Sequence, residues 1–125
     1  MSVTWAYIYE HPGADPLADR FILDRSDQRT LLVPVADAAR APAVAVDLVA
    51  EGVQLIELCG GFPLAAAARV AEAVRGRVPV GHVTFAVDSI PSAAAYSAAF
   101  DDRAERAAAV HEVTATTGDT DRSGV

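Results

Sequence analysis

The chain has 125 residues, 52% of them hydrophobic, which fits one globular domain with a core that needs neither a disulfide nor a structural metal. Seventeen acids stand against ten bases scattered singly, and the net charge of −7 argues against nucleic acid or an anionic bilayer as a partner. Lysine is absent, which excludes lysine Schiff-base catalysis, a P-loop lysine and lysine-bound pyridoxal phosphate.

In chain order, VTWAYIY (3–9) is β-branched and aromatic with no charge, as a strand buried on both faces requires. HPGADP is turn chemistry. Asp15 can cap a helix with Pro16 at its first position, predicting a short helix over 16–24. DRSDQR then connects to a second strand, TLLVPV (30–35). Pro34 cannot donate to a ladder, so this strand is expected at an edge or with a bulge. DAARAPAVAVDLVAEG predicts a helix with Val44, Leu48 and Val49 on one stripe, starting or kinking at Pro42 and ending at Gly52.

VQLIELC (53–59) is the third strand. Pro63 opens a helix in which Leu64, Ala67, Ala68, Ala71 and Val74 share a stripe, and Gly76 ends it. VPVGHVTF (78–85) is the fourth strand, which AVDSI or an edge-to-edge partner would extend. The segment 91–113 predicts a long Ala-rich helix with a weak apolar face of Tyr96, Phe100 and Val110. The polar residues 113–125 have nothing to bury and are expected to be disordered.

Strands alternating with helices over short connections imply right-handed βαβ crossovers. The fold expected is a small doubly wound, flavodoxin-like parallel sheet of about four strands, helices on both faces, plus the C-terminal helix. One domain then covers residues 1–112. A single cysteine rules out an internal disulfide, and neither a secretory signal pattern nor an apolar run near ~20 residues is present, so a cytoplasmic location is expected.

Strand ends in a parallel sheet form one rim, where open α/β folds bind ligands. Topology brings Glu10 and His11, Glu57 and Cys59, and His82 and Thr84 to that rim. Glu57 and Cys59 share one strand face while Leu58 takes the other. Gly60 and Gly61 in ELCGGF allow a sharp turn and close backbone approach, with Phe62 beside them. The helix opening at Pro63 aims N–H groups and its positive dipole end at the same place.

ELCGGF, PGADP, AEAVRG and VPVG together resemble a family of small bacterial proteins catalogued as a domain of unknown function, over about residues 3–85. The resemblance implies a compact α/β domain and brings no activity with it.

Cys59 reads either as a small buried hydrophobe or as a thiol activated by a helix start. Glu57, costly to bury unpaired, is either a structural partner or a tuned acid/base. His82 divides similarly, and His111 belongs to a helix surface. His11, His82 and Glu57 are the right types for a two-His, one-carboxylate metal site, but no local ligand spacing supports one, and no metal is expected. GxSxG and GxGxxG are both missing, which argues against an α/β-hydrolase triad and a dinucleotide cofactor.

The remaining chemistry is a cofactor-independent isomerase, lyase or cyclase acting on a small oxygenated or anionic metabolite. Glu57 or His82 is its base, Cys59 a proton donor or polarisable wall, and the Gly60 and Gly61 amides oxyanion donors; His11, Phe62 and Thr84 complete the binding surface. A non-catalytic anion-binding or structural oligomeric module is the alternative. Open sheet edges and the terminal helix predict a homo-oligomer.

Overall fold

The computed structural model describes residues 2–117. They divide into two compact units at the boundary between Thr84 and Phe85. The first unit contains β1 (Val3–Glu10), β2 (Phe21–Arg25), β3 (Gln28–Val35), α1 (Ala41–Ala50), β4 (Leu55–Leu58), α2 (Leu64–Ala73) and β5 (Val80–His82). In the second, a 3-10 turn at Val87–Ser89 leads into α3 (Ile90–Thr117), so AVDSI adds no strand. Of the tail expected to be disordered from 113, residues to Thr117 are helical and 118–125 lie outside the described residues. Among the described residues no helix is long and apolar enough to cross a membrane.

The sheet has five strands in the order β2-β3-β1-β4-β5, parallel except for the antiparallel β2–β3 pair. The extra strand takes the last four positions of the helix predicted over 16–24. Asp15 does cap a turn, its Oδ1 accepting the N–H groups of Leu17 and Ala18 at 2.8 Å each, while Asp19 Oδ2 accepts the Asp15 N–H. One turn is all that forms. Arg20 ties it off by donating Nε–H to the Pro16 carbonyl and pairing with Glu51 at 2.8 Å, and Phe21-Ile22-Leu23 then runs as a β-rich edge strand.

Ser26 and Asp27 join β2 to β3 with φ of 53° and 58°. Two consecutive left-handed residues mark a type I′ hairpin turn, whose twist matches the strands but which favours Asn-Gly. Asp27→Gly is therefore expected to raise stability by about 0.5–1 kcal/mol, read as an increased urea midpoint at constant m. Pro34 needs neither edge nor bulge. It lies in an internal strand, opposite Tyr9, but β2 starts only at Phe21, opposite Leu32, so the side of β3 that would use its N–H has no ladder to lose.

Both crossovers, β3–α1–β4 and β4–α2–β5, step the same way along the sheet, and α1 packs directly on α2. Right-handed connections stepping one way place their helices on one face. The doubly wound arrangement therefore does not arise from these two helices, because β1 sits inside the sheet between β3 and β4 and no crossover reverses direction.

The burial pattern gives the same result. Ala6, Ile8, Leu31, Val33, Val35, Ile56 and Leu58 alternate in phase along the strands and are buried beneath Ala41, Val44, Ala45 and Leu48 of α1 and Ala66 and Val70 of α2. The predicted α2 stripe is rotated: Leu64 is 78% exposed, and Ala66, Val70 and Val74 at i, i+4 and i+8 face the core. Intervening strand residues face the other way. Trp5, Tyr7, Tyr9, Leu32 and Glu57 are half-buried there, and Val3, Phe21, Leu23 and Leu55 are exposed.

Candidate functional site

Because β1, β3, β4 and β5 are parallel, their carboxyl ends share one rim, as the sequence predicts. The pleat decides which residues meet on it. Tyr7 stands opposite Glu57, and Glu57 opposite Gly81, so all three lie in one row on the face away from α1 and α2. A Cβ on Gly81 would rest in van der Waals contact with Glu57 Cγ, at 3.5 Å. One step toward the rim, the Cys59 N–H donates to the Ile8 carbonyl at 3.0 Å, placing the thiol next to the Tyr9 level. Tyr9 stacks on Tyr7, ring centroids 6.1 Å apart and planes inclined by 21°.

Tyr7 is the residue that sequence reasoning missed. Its pKa is raised, first by burial and then by the electrostatic influence of Cys59 and of Glu57, so the neutral phenol persists to higher pH than usual. A raised phenol favours the native state below its ordinary value and loses that contribution as pH climbs through the folded value. The strand-periodic YIY in β1 was the available signal, since it places Tyr7 and Tyr9 together on one face. In an alkaline titration followed by phenolate absorbance, Tyr7→Phe is expected to remove a phase displaced to high pH, and Glu57→Gln to move that phase to lower pH.

His82 does not join this group. It stands opposite Leu58, which is fully buried under the helices, and its Nε2–H donates to the Phe62 carbonyl at 3.1 Å. Glu57 and His82 therefore project to opposite sides of the sheet, and the pairing expected from their shared rim fails on strand parity. Phe62 is a core residue at 3% exposure rather than part of a binding surface. Thr84 is exposed beyond the end of β5.

Gly60 and Gly61 do not use a positive φ, so the turn after β4 needs no glycine for its backbone angles. A Cβ on Gly61 would rest in van der Waals contact with Cys59 Sγ, at 3.7 Å. The Phe62 N–H closes that turn onto the Cys59 carbonyl, and α2 begins directly after Pro63. PGADP supplies a turn rather than a second helix start. His11, exposed at the end of β1, sits over a cleft of about 350 Å³ lined by Tyr9, Pro12, Gly13, Ala14, Asp19 and Pro34. Among the described residues no three of His, Cys, Asp and Glu come close enough to hold a metal ion.

Residues 3–98 match a family of unknown function, DUF6506. The chain belongs to that family. The DUF6506 match runs past residue 85, where the motif resemblance stops, into the first turns of α3. No curated protein and no solved structure matches this DUF6506 chain. The row Tyr7–Glu57–Gly81, with Cys59 and Tyr9 above it, is then the chemically richest part of its sheet: a carboxylate, a phenol held neutral and a half-buried thiol on neighbouring strands.

Proposed function

We propose that this protein is a cofactor-independent acid/base enzyme, an isomerase, lyase or cyclase, acting on a small oxygenated metabolite at the rim of the open sheet face. The observation that carries the reading is the half-buried Glu57 facing Tyr7 across the β1–β4 ladder, with the carboxylate charge felt by the phenol. Glu57 takes a proton from carbon next to a carbonyl; Tyr7, kept protonated, and the amides of Gly60 and Gly61 stabilise the oxygen that gains charge; Cys59 forms a polarisable wall or returns the proton. The single unpaired cysteine fits a reducing, cytoplasmic setting.

The test is carbon–hydrogen exchange. A mixture of small ketones, aldehydes and hydroxy acids incubated with the protein in deuterium oxide is expected to gain deuterium next to a carbonyl, and Glu57→Gln to abolish the gain. A mixture that stays unlabelled with wild-type protein overturns the reading.

A second reading, a non-catalytic module that works by self-association, is favoured by the apolar side chains of Val3, Phe21, Leu23 and Leu55 exposed on the same sheet face. Either reading predicts a homo-oligomer. Light scattering at tens of micromolar is expected to exceed the chain mass of 13.0 kDa, and a monomer at that mass defeats self-association.

A further inference from the structure

The cleft at the end of β1 has a chemistry of its own. Three ring surfaces line it, the half-buried Tyr9, the buried Pro34 opposite it in the ladder, and Pro12, alongside the polar groups of His11, Asp19 and the Gly13-Ala14 loop. Its volume of about 350 Å³ falls within the range of small-molecule pockets. Gly13, at φ +78°, turns the loop over the cleft, and no atom lies within 4 Å of where its Cβ would be.

The charge around the cleft has one sign. Asp19 lines it, and Asp15 lies just behind in the same turn. The guanidinium of Arg20, next to Asp19 in the chain, is engaged by the Pro16 carbonyl and Glu51. Asp19 spends Oδ2 on the Asp15 N–H, which fixes the carboxylate at the lip and leaves Oδ1 to a ligand. Asp15 keeps its charge to lower pH than an ordinary aspartate, because hydrogen bonds from the Ala18 and Leu17 amides lower its pKa.

We infer that this cleft binds a small organic cation, an amine on a flat apolar body, with the ammonium on Asp19 and the body against Tyr9 and Pro34. An ammonium near a tyrosine face and a fixed carboxylate gains from both, whereas a carboxylate or phosphate meets only repulsion and the single imidazole of His11. As a substrate subsite the cleft rests on the proton-transfer reading, since Tyr9 stacks on Tyr7 and so leads from the cleft to Glu57. As a binding site it stands without it. This narrows the substrate class: the anionic metabolites that the sequence left open are disfavoured, and an oxygenated amine is favoured.

The experiment is a titration of the isotope-labelled full chain, followed by amide chemical shifts, with three probes that share one ring: benzylammonium, benzyl alcohol and benzoate. Benzylammonium is expected to shift the amides of His11, Gly13, Ala14 and Asp19 and to bind about tenfold more tightly than benzoate, the scale of one charge-assisted hydrogen bond. Asp19→Asn keeps an acceptor for the Asp15 N–H and should bring benzylammonium down to the level of benzyl alcohol. Tyr9→Leu, distant from the turn's hydrogen bonds, should weaken both. Benzoate binding as tightly as benzylammonium, shifts confined to residues outside the cleft, or no saturable shift with any probe overturns the assignment. None of these outcomes depends on turnover, so the proton-transfer reading stands or falls separately.

Discussion

Ile56→Ala is expected to lower the stability of the sheet unit by about 2–5 kcal/mol, the cost of emptying a fully buried branched side chain from a core that cannot collapse to fill it. Ile56 has no exposed surface, lies between Ala6 and Val80 in the ladder, and belongs to the cluster beneath α1 and α2. The neighbouring Glu57→Ala should cost far less, about 1 kcal/mol or below, because its side chain leaves the opposite, half-open face. Urea unfolding of both variants measures the difference between the faces. Equal losses at 56 and 57 would contradict the one-sided helix cover and the placement of Glu57.

How much of this was legible in the sequence follows from what each signal measures. The βαβ core could be read because Ile8, Val33, Ile56 and Val70 sit in apolar runs between recognisable punctuation, and Gly52 and Gly76 adopt the positive φ expected after helix ends. The hairpin was hidden by a genuine local signal. Asp15 and Pro16 do start a turn, and nothing before residue 21 shows that Arg20 will stop it after one turn and hand the chain to an edge strand. The cover on one face was also hidden, since the direction of successive crossovers depends on strand order, and the short strands β4 and β5 read much the same in either arrangement.

The site was half legible for a related reason. Alternation along the chain set Glu57 beside Cys59, which follows the end of β4, but parity between strands needs a register, which no single strand contains. Once Leu58 is set opposite His82, the histidine is carried to the helix side and Tyr7 becomes the partner of Glu57. Phe62 was misread because an aromatic after two glycines looks like a ligand wall. Here it closes the top of the core, and its carbonyl holds His82.

Glu57→Gln is expected to leave the fold intact and to reduce carbon–deuterium exchange or turnover by about 100-fold or more, the usual share of general acid–base catalysis. Glutamine keeps the shape and the hydrogen-bonding reach but cannot take the proton. Two further variants separate the chemistry from its surroundings. Tyr7→Phe removes the phenol while preserving most of the ring stack with Tyr9, and should cost turnover with little change in melting temperature. Gly81→Leu keeps every catalytic side chain in the sequence but adds a branched group beyond a Cβ already in van der Waals contact with Glu57 Cγ at 3.5 Å, so it should displace the carboxylate and cost turnover as well. If the face serves only self-association, Glu57→Gln changes the oligomer equilibrium and no condition reveals exchange. If Glu57 is only structural, melting falls and ligand behaviour persists until unfolding. A loss in Glu57→Gln matched by none in Gly81→Leu would mean that the charge matters and its position does not, which a general base at a fixed carbon cannot satisfy.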